Sequence, residues 1–336
     1  MKYNVVRSTE DPVVEHYMNI LLMAGEKSGA ETKNVQYKCK HNKKDVIVCD
    51  SALVALHYFL RGYKNIVIWY QGVVPEESYL RNKSKIRSSV LSIIELIGLK
   101  SAKACFFVSD EMLQHYEQKY HMSLKCKSYI MPCFNEIGLN KEAFQNESKS
   151  TSCDFLYAGS LNEWQCFRQT AELYAHIEQK AVTPTRFCVY TREKEKAKKI
   201  IDDLNIKSYL VDYVDASELA NRIKSCRYGF VLREDSIINR VATPTKFSNY
   251  LANGIIPIFS DCLKSFYSIH KKHEIGIVCN INDIEPSVED ILKNMESKQD
   301  LDIFSEKCKE VFDTYYNTEK YIGEIAQFFR NIPWKK

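Results

Sequence analysis

Glycine is scarce in this 336-residue chain, at 11 residues, and no two glycines stand one residue apart. That removes the G-x-G-x-x-G dinucleotide fingerprint and the Walker-type phosphate loop together, since both need closely spaced glycines to bring backbone N–H groups to a phosphate. The twelve cysteines are scattered singly and form no C-x-x-C pair, and no apolar signal segment opens the chain, so they read as reduced cytosolic thiols. No stretch approaches the roughly 20 apolar residues that cross a bilayer. Charge of one sign is lacking too: 47 basic against 43 acidic residues leave +4, too little to argue for general nucleic-acid binding, so any basic partner site must be local. The histidines are dispersed, and Asp300-Leu301-Asp302 lies in a polar stretch rather than after a buried strand, so no metal site is predicted.

What the chain does have is alternation. Short apolar runs at Tyr3 to Val6, Asp45 to Cys49, Asn65 to Tyr70, Cys105 to Ser109 and Tyr129 to Pro132 read as strands. Helical patterns lie around Val13 to Met23, Ala52 to Tyr63, Arg81 to Ala102 and Asp110 to Tyr120, with a loop from Gln71 to Ser78. The polar KEAFQNESKSTS, Lys141 to Ser152, is the best linker candidate and sets a boundary near 150. The alternation then restarts. Strands are expected at Asp154 to Ala158, Arg186 to Tyr190, Ser208 to Val214, Tyr228 to Leu232 and Ile255 to Phe259, and helices at Glu163 to Gln179, Glu193 to Leu204 and Glu218 to Ser225. Strands alternating with helices signal parallel α/β sheets. The length suits two domains, expected at 1–150 and 151–315, with a helix in 316–336 crossing back to the first.

In open α/β sheets ligands sit beyond the carboxyl ends of the strands. That rule selects Gln71, Gly72 and Ser109 in the first half, and Gly159, Ser160, Tyr190, Thr191, Val214, Asp215, Arg233, Glu234 and Ser260 in the second. Arg233 is the sharpest candidate, because a guanidinium clamps two phosphate oxygens and stays charged; the alternative is a salt bridge to Glu234 or Asp235. In FVLREDSIINRVATPTKFSNYLANGIIPIFSD, Thr243 reads as an N-cap, Pro244 as the first helical residue and Gly254 as a left-handed cap. Lys246 then falls in the first turn, where the helix dipole disfavours a cation by roughly 0.3–1 kcal/mol unless an anion offsets it. Gly159-Ser160 offers a turn where backbone N–H groups approach a phosphate, or only a turn. Glu76 and Glu77 follow Pro75, where a carboxylate can take a proton from an acceptor hydroxyl, or simply favour a helix N-terminus.

The segment RNKSKIRSSVLSIIELIGLK carries Arg81, Lys83, Lys85 and Arg87, then Ile86, Val90, Ile93 and Ile97 at helical spacing. A basic amphipathic helix over about 81–100 suits an anionic membrane surface or a lipid pyrophosphate; the alternative is a core-facing stripe with a solvated basic end.

From Leu232 to Gly254 the chain, LREDSIINRVATPTKFSNYLANG, resembles bacterial glycosyltransferases of the GT-B fold, retaining family 4 type, whose second domain carries LR-x-x-x-x-x-N-x-x-A-x-P-x-K-x-x-E-Y-L-A-x-G. QGVVPEES, CFFVSDEM and DFLYAGSLNEWQ look like the corresponding landmarks elsewhere, so the resemblance covers most of the chain. It implies two Rossmann-like domains facing a cleft, a nucleotide-sugar donor held by the second, and a saccharide or lipid-linked acceptor held by the first through Gln71, Gly72 and Glu76. It further implies transfer with retention, with no metal and no cofactor beyond the nucleotide sugar. By that resemblance Arg233 and Lys246 stabilise the leaving diphosphate, Gly159 and Ser160 line it, Tyr213 and Val214 fall where the base is placed, and Asn239 and Thr245 lie near the sugar and phosphates; Tyr190 and Asn249 complete the donor-binding candidates. Glu77 joins Arg233 and Lys246 as a catalytic candidate.

Three positions depart from the pattern. Asn249 stands where a glutamate contacts the donor ribose, Gln71 where a histidine often follows the first-domain strand, and Trp164-Gln165 where a lysine is expected. The reading is a cytosolic, peripherally membrane-associated transferase of surface-polysaccharide synthesis with UDP as the favoured nucleotide. A catalytically silent partner of another transferase and a nucleotide-sugar 2-epimerase are the alternatives, the second needing cleft carboxylates for proton abstraction that are not identified.

Overall fold

The computed structural model describes residues 2–335, with the side chains of Ser148, Ala216 and Ser217 outside the description. Packing divides the chain into two compact units, one of Met1–Asn135, Arg240–Thr243 and Asn317–Lys336, the other of Glu136–Asn239 and Pro244–Tyr316.

Unit 1 runs β1 (Lys2–Arg7), α1 (Pro12–Lys27), β2 (Glu31–Gln36), β3 (Val46–Cys49), α2 (Ala52–Leu60), β4 (Asn65–Tyr70), α3 (Val74–Asn82), α4 (Lys85–Ser101), β5 (Ala104–Phe107), α5 (Asp110–Tyr120) and β6 (Ser128–Ile130). Its six strands are all parallel in the order β2-β1-β3-β4-β5-β6. Strands β3, β4 and β5 are buried along their whole length, which is why they read as continuous apolar runs rather than alternating ones. Tyr17 of α1 stacks on Trp69 of β4 with centroids 3.8 Å apart, tying helix to sheet.

Unit 2 continues with α6 (Lys141–Phe144), β7 (Asp154–Ala158), α7 (Phe167–Lys180), β8 (Arg186–Tyr190), α8 (Lys194–Asp203), β9 (Tyr209–Asp212), α9 (Ala216–Ile223), β10 (Tyr228–Val231), α10 (Ile237–Arg240), α11 (Lys246–Ala252), β11 (Ile256–Ser260), α12 (Lys264–His273), β12 (Ile277–Cys279), α13 (Glu285–Glu296) and α14 (Leu301–Tyr315). The sheet order is β12-β11-β10-β7-β8-β9, again parallel. Successive strands leave β7 first through β8 to β9 and then on its other side through β10, so the switch point lies between β7 and β10, where an open sheet leaves a crevice. The last helix, α15 (Thr318–Asn331), packs in unit 1, with Phe329 against Tyr3 and Phe106 and the Tyr129 hydroxyl donating to Glu324 at 2.6 Å.

Several expectations are corrected. Lys141 to Ser152 is no linker: it folds as α6 and a short 3₁₀ turn inside unit 2, and Lys149 is fully buried, its amine donating to the Lys224 and Asn253 carbonyls. The polar composition misled because the buried Lys149 amine is satisfied by carbonyls from elsewhere in unit 2. The loop from Gln71 to Ser78 becomes helix at Val74, and the long helix from Arg81 breaks where Lys83 turns left-handed and Ser84 caps α4. Thr243 does not cap α11, which begins at Lys246 with Thr245 at the cap position; its hydroxyl instead accepts from the Cys133 N–H at 2.9 Å. The helix expected from Glu163 starts at Phe167 after a left-handed Cys166. Gly254 does close α11 with φ +63°, and a Cβ there would stand 3.0 Å from the Phe144 ring. Strands β2 and β12 and helix α12 carried no signal that was read. β2 is the polar ETKNVQ at a sheet edge, held by its ladder to β1 rather than by burial.

Candidate functional site

At the carboxyl ends of β7, β8 and β9, facing the start of α11, unit 2 holds a cavity of about 490 Å³ lined by Gly159, Ser160, Tyr190, Tyr213, Val214, Thr245, Lys246 and Asn249 among others. These eight residues come from four separate segments, and sequence reasoning selected every one of them. Gly159 extends the ladder by donating to the Tyr190 carbonyl at 3.0 Å, with φ +143°. A Cβ there would sit 2.9 Å from both Cε and Nζ of Lys246, so the glycine is what lets the amine come over the end of β7. Lys246 Nζ also lies 4.5 Å from the centre of the Tyr157 ring, a cation–π contact. The Tyr157 hydroxyl in turn donates to the Ser160 carbonyl at 2.7 Å and fixes the turn.

Arg233 follows β10 on the other side of the switch point and is 3% exposed. Among the described residues it makes no salt bridge to Glu234. Its Nη1 donates to the Leu232 carbonyl at 2.7 Å and its Nη2 to Gln165 Oε1 at 2.7 Å, while Lys246 Nζ donates to the same Gln165 Oε1 at 2.9 Å. Two cations therefore converge on one neutral amide oxygen, and among the described residues neither has a carboxylate partner. Burial, and then the nearby Arg233 charge, hold the Lys246 amine well below its ordinary range; burial lowers Arg233 too. Like charges in such a place are costly until an anion joins them. Gln165, read from sequence only as a missing lysine, is thus the residue that gathers the pair. The signal available for it was position alone.

Arg233 and Asn239 are not on the cavity wall. Asn239 is buried and donates to the Glu234 carbonyl at 2.9 Å, shaping the loop that carries Arg233. Asn249 is on the wall, and its side-chain oxygen is buried without a hydrogen-bond partner, which leaves an acceptor waiting for a donor such as a sugar hydroxyl. Beside Val214, Tyr213 receives the Arg192 guanidinium 5.4 Å above its ring and donates its hydroxyl to Asp215 at 2.9 Å, forming a flat wall.

In unit 1 a smaller cavity of about 260 Å³ lies beyond β3 and β4, lined by Asp50, Trp69, Tyr70, Gln71, Gly72, Glu77 and Glu95 with apolar Leu53, Val74, Leu91 and Ile94. A Cβ at Gly72 would fall 2.2 Å from Glu77 Oε1, so only glycine lets that carboxylate cover the strand end. Burial raises the Glu77 carboxyl above its usual range, partly offset by Arg81. Gln71 donates to the Asp50 carbonyl at 3.3 Å. Glu76 is elsewhere: it pairs with Lys119 at 2.8 Å and His115 at 3.2 Å and is not on the cavity wall. Sequence reasoning missed Glu95, which is 3% exposed and accepts from Tyr116 at 2.8 Å, Tyr120 at 2.6 Å and Lys119 at 3.0 Å, its pKa raised by burial. An acidic residue inside an apolar helix stripe was the available clue.

The stripe on α4 points outward. Ile86 is 81% exposed, with Val90 and Ile93 also exposed. No described helix is long and apolar enough to cross a membrane.

No family model matches this sequence, and no curated protein matches it. Solved structures do. S. aureus TarM, solved in complex with fondaparinux, α-GlcNAc-glycerol and UDP, aligns with a TM-score of 0.64 at 12% identity over 87% of this chain, which spans only 56% of TarM. Anabaena HepE, solved with UDP and glucose, aligns at 0.68 and 9% identity over 98% of this chain and 99% of its own. WaaG, a glycosyltransferase involved in lipopolysaccharide biosynthesis, aligns at 0.62 and 12% identity over 97% and 99%. Two parallel six-stranded sheets with flanking helices, matched across nearly the whole chain, place this protein in the GT-B fold, built of two Rossmann-like α/β domains.

Proposed function

We propose that this protein is a glycosyltransferase that moves a sugar from a nucleotide-sugar donor, UDP-linked for preference, to a saccharide or lipid-linked acceptor in bacterial surface-polysaccharide synthesis. The observation that carries the reading is the convergence of Arg233 and Lys246 on Gln165 Oε1 at the carboxyl ends of the unit 2 strands. Preorganised cations without a carboxylate partner are what a leaving diphosphate requires, because its charge grows as the glycosyl bond breaks. The Gly159–Ser160 turn supplies close backbone approach, Asn249 an acceptor for a ribose hydroxyl, and Tyr190, Tyr213 and Val214 a wall for the base. TarM and HepE were solved with UDP, which supports uridine first. Retention and independence of metal follow from the family 4 resemblance.

In unit 1 the cavity with Gln71, Gly72 and Glu77 is the acceptor site in this reading, and Glu77, its proton affinity raised by burial, accepts a proton from the incoming hydroxyl. Glu76, committed to Lys119 and His115, has a structural role. The exposed Ile86, Val90 and Ile93 beside Arg81, Lys85 and Arg87 support peripheral attachment to an anionic inner membrane face. The orphan Asn249 oxygen and the unpaired cations favour a working donor site over a catalytically silent partner.

Thermal unfolding of the purified protein against UDP, GDP, ADP and CMP tests the proposal. A nucleotide at about 100 times its dissociation constant stabilises by roughly 2.7 kcal/mol. A midpoint raised by UDP alone is expected; no response to any of the four sinks the transferase reading.

A further inference from the structure

Toward the amino ends of the unit 2 strands, away from the cavity, three chemically distinctive groups meet. Asp154 opens β7, Cys188 lies on β8, and Cys226 leads into β10; one carboxylate oxygen and the two sulfurs all lie within 4.8 Å of one another. Strand β7 runs between β8 and β10 in the sheet, so two adjacent strands and the entry to a third each supply one group. Neither thiol has a place in the donor chemistry, and both are buried, at 3% and 1% exposure, while the Asp154 side chain is 17% exposed and opens the cluster to solvent.

We propose that Asp154, Cys188 and Cys226 form a binding site for a thiophilic, zinc-class dication. Zinc binds sulfur at about 2.3 Å and carboxylate oxygen at about 2.0–2.2 Å, so tetrahedral ligand atoms stand roughly 3.5–3.8 Å apart, a spacing this cluster reaches by small side-chain rotations. Two sulfurs and one hard oxygen are a donor set that suits zinc over magnesium or calcium. A water completes the tetrahedron on the open, Asp154 side. Arg186 donates to both Asp154 oxygens, through Nε at 3.2 Å and through Nη2. Each carboxylate oxygen keeps a second lone pair for the metal, and a ligating carboxylate held by a hydrogen bond is the usual way such a ligand is oriented. Charge is consistent as well: a dication with two thiolates and a carboxylate carries one net negative charge, which the adjacent Arg186 balances. The residues are far apart in sequence, which is why no C-x-x-C signal announced them.

The test uses the full chain with exposed Cys39 and Cys126 changed to serine, kept reduced and titrated with Cd²⁺ and separately with Co²⁺. One equivalent of Cd²⁺ per chain is expected to give a saturable thiolate-to-metal charge-transfer band, and Zn²⁺ to displace it. Cys188→Ser and Cys226→Ser each abolish the band, and Asp154→Asn, which keeps both thiols, weakens uptake at least tenfold; circular dichroism confirms folding of each variant. Should a cysteine variant fail to fold, Asp154→Asn decides alone. Absence of stoichiometric uptake, or uptake equal in all folded variants, overturns the site.

Discussion

Replacing Gln165 with glutamate probes the centre of the donor site with almost no change in shape. In the wild type the amide oxygen accepts from Arg233 Nη2 at 2.7 Å and Lys246 Nζ at 2.9 Å, and both cations lack a counter-charge. A carboxylate there turns two bonds to a neutral acceptor, roughly 0.5–1.5 kcal/mol each, into charge-assisted ion pairs of roughly 1.5–3 kcal/mol each. Burying the new carboxylate takes back part of that gain, leaving about 1–2 kcal/mol of added stability in the empty protein. A diphosphate must now compete with a resident anion, so UDP and inorganic pyrophosphate are expected to bind about five- to thirty-fold more weakly, at 1.4 kcal/mol per factor of ten. The two effects run in opposite directions, which a merely disruptive substitution does not produce. Thermal unfolding reads the first and calorimetric titration the second. A folded Gln165→Glu protein that binds UDP as tightly as the wild type would falsify the placement of the diphosphate between Arg233 and Lys246.

Other expectations follow from the same geometry. Gly159→Ala places a methyl 2.9 Å from the Lys246 amine at φ +143°, a backbone region that costs a non-glycine residue about 1–3 kcal/mol; the midpoint should fall and UDP affinity with it, and retained affinity would show that the amine is not a ligand. Glu77→Gln should reduce turnover at least a hundredfold while leaving UDP binding intact, which equilibrium titration beside a transfer assay separates; equal turnover removes Glu77 from the chemistry. Lys149, fully buried, has its pKa lowered by burial from 10.5 to about 8. Between those values the unfolded chain holds more protons than the folded one, so this group's contribution to stability rises with pH across that window, by a few kcal/mol at most. Denaturant unfolding of wild type against Lys149→Met isolates it from titrating tyrosines and cysteines, and a flat difference from pH 8 to 10.5 refutes the burial argument. Neutralising Arg81, Lys85 and Arg87 should cut sedimentation with anionic vesicles by roughly 1 kcal/mol per charge; equal sedimentation leaves the α4 surface to some other role.

Much of this protein was legible in its sequence. Strands β3, β4, β7, β8, β10 and β11 are buried on both faces, so burial wrote itself into continuous apolar runs. The strand-end rule then picked out Gly159, Tyr190, Val214 and Gln71, because in a parallel sheet the residue after each strand faces one common edge. Lys246 and Gly254 were legible from helix-end chemistry, although the helix starts later than Thr243 and Pro244 suggest. What the sequence withheld depends on contacts between segments distant along the chain. Whether Lys141 to Ser152 links or packs turned on carbonyls offered by Lys224 and Asn253. Whether the α4 stripe faces core or solvent is invisible to periodicity, which gives a face its identity but not its neighbour. Gln165 gathers two cations, and Glu76 and Glu77 part company, only because tertiary structure sets which polar groups share a low-dielectric space; composition and spacing carry no term for that.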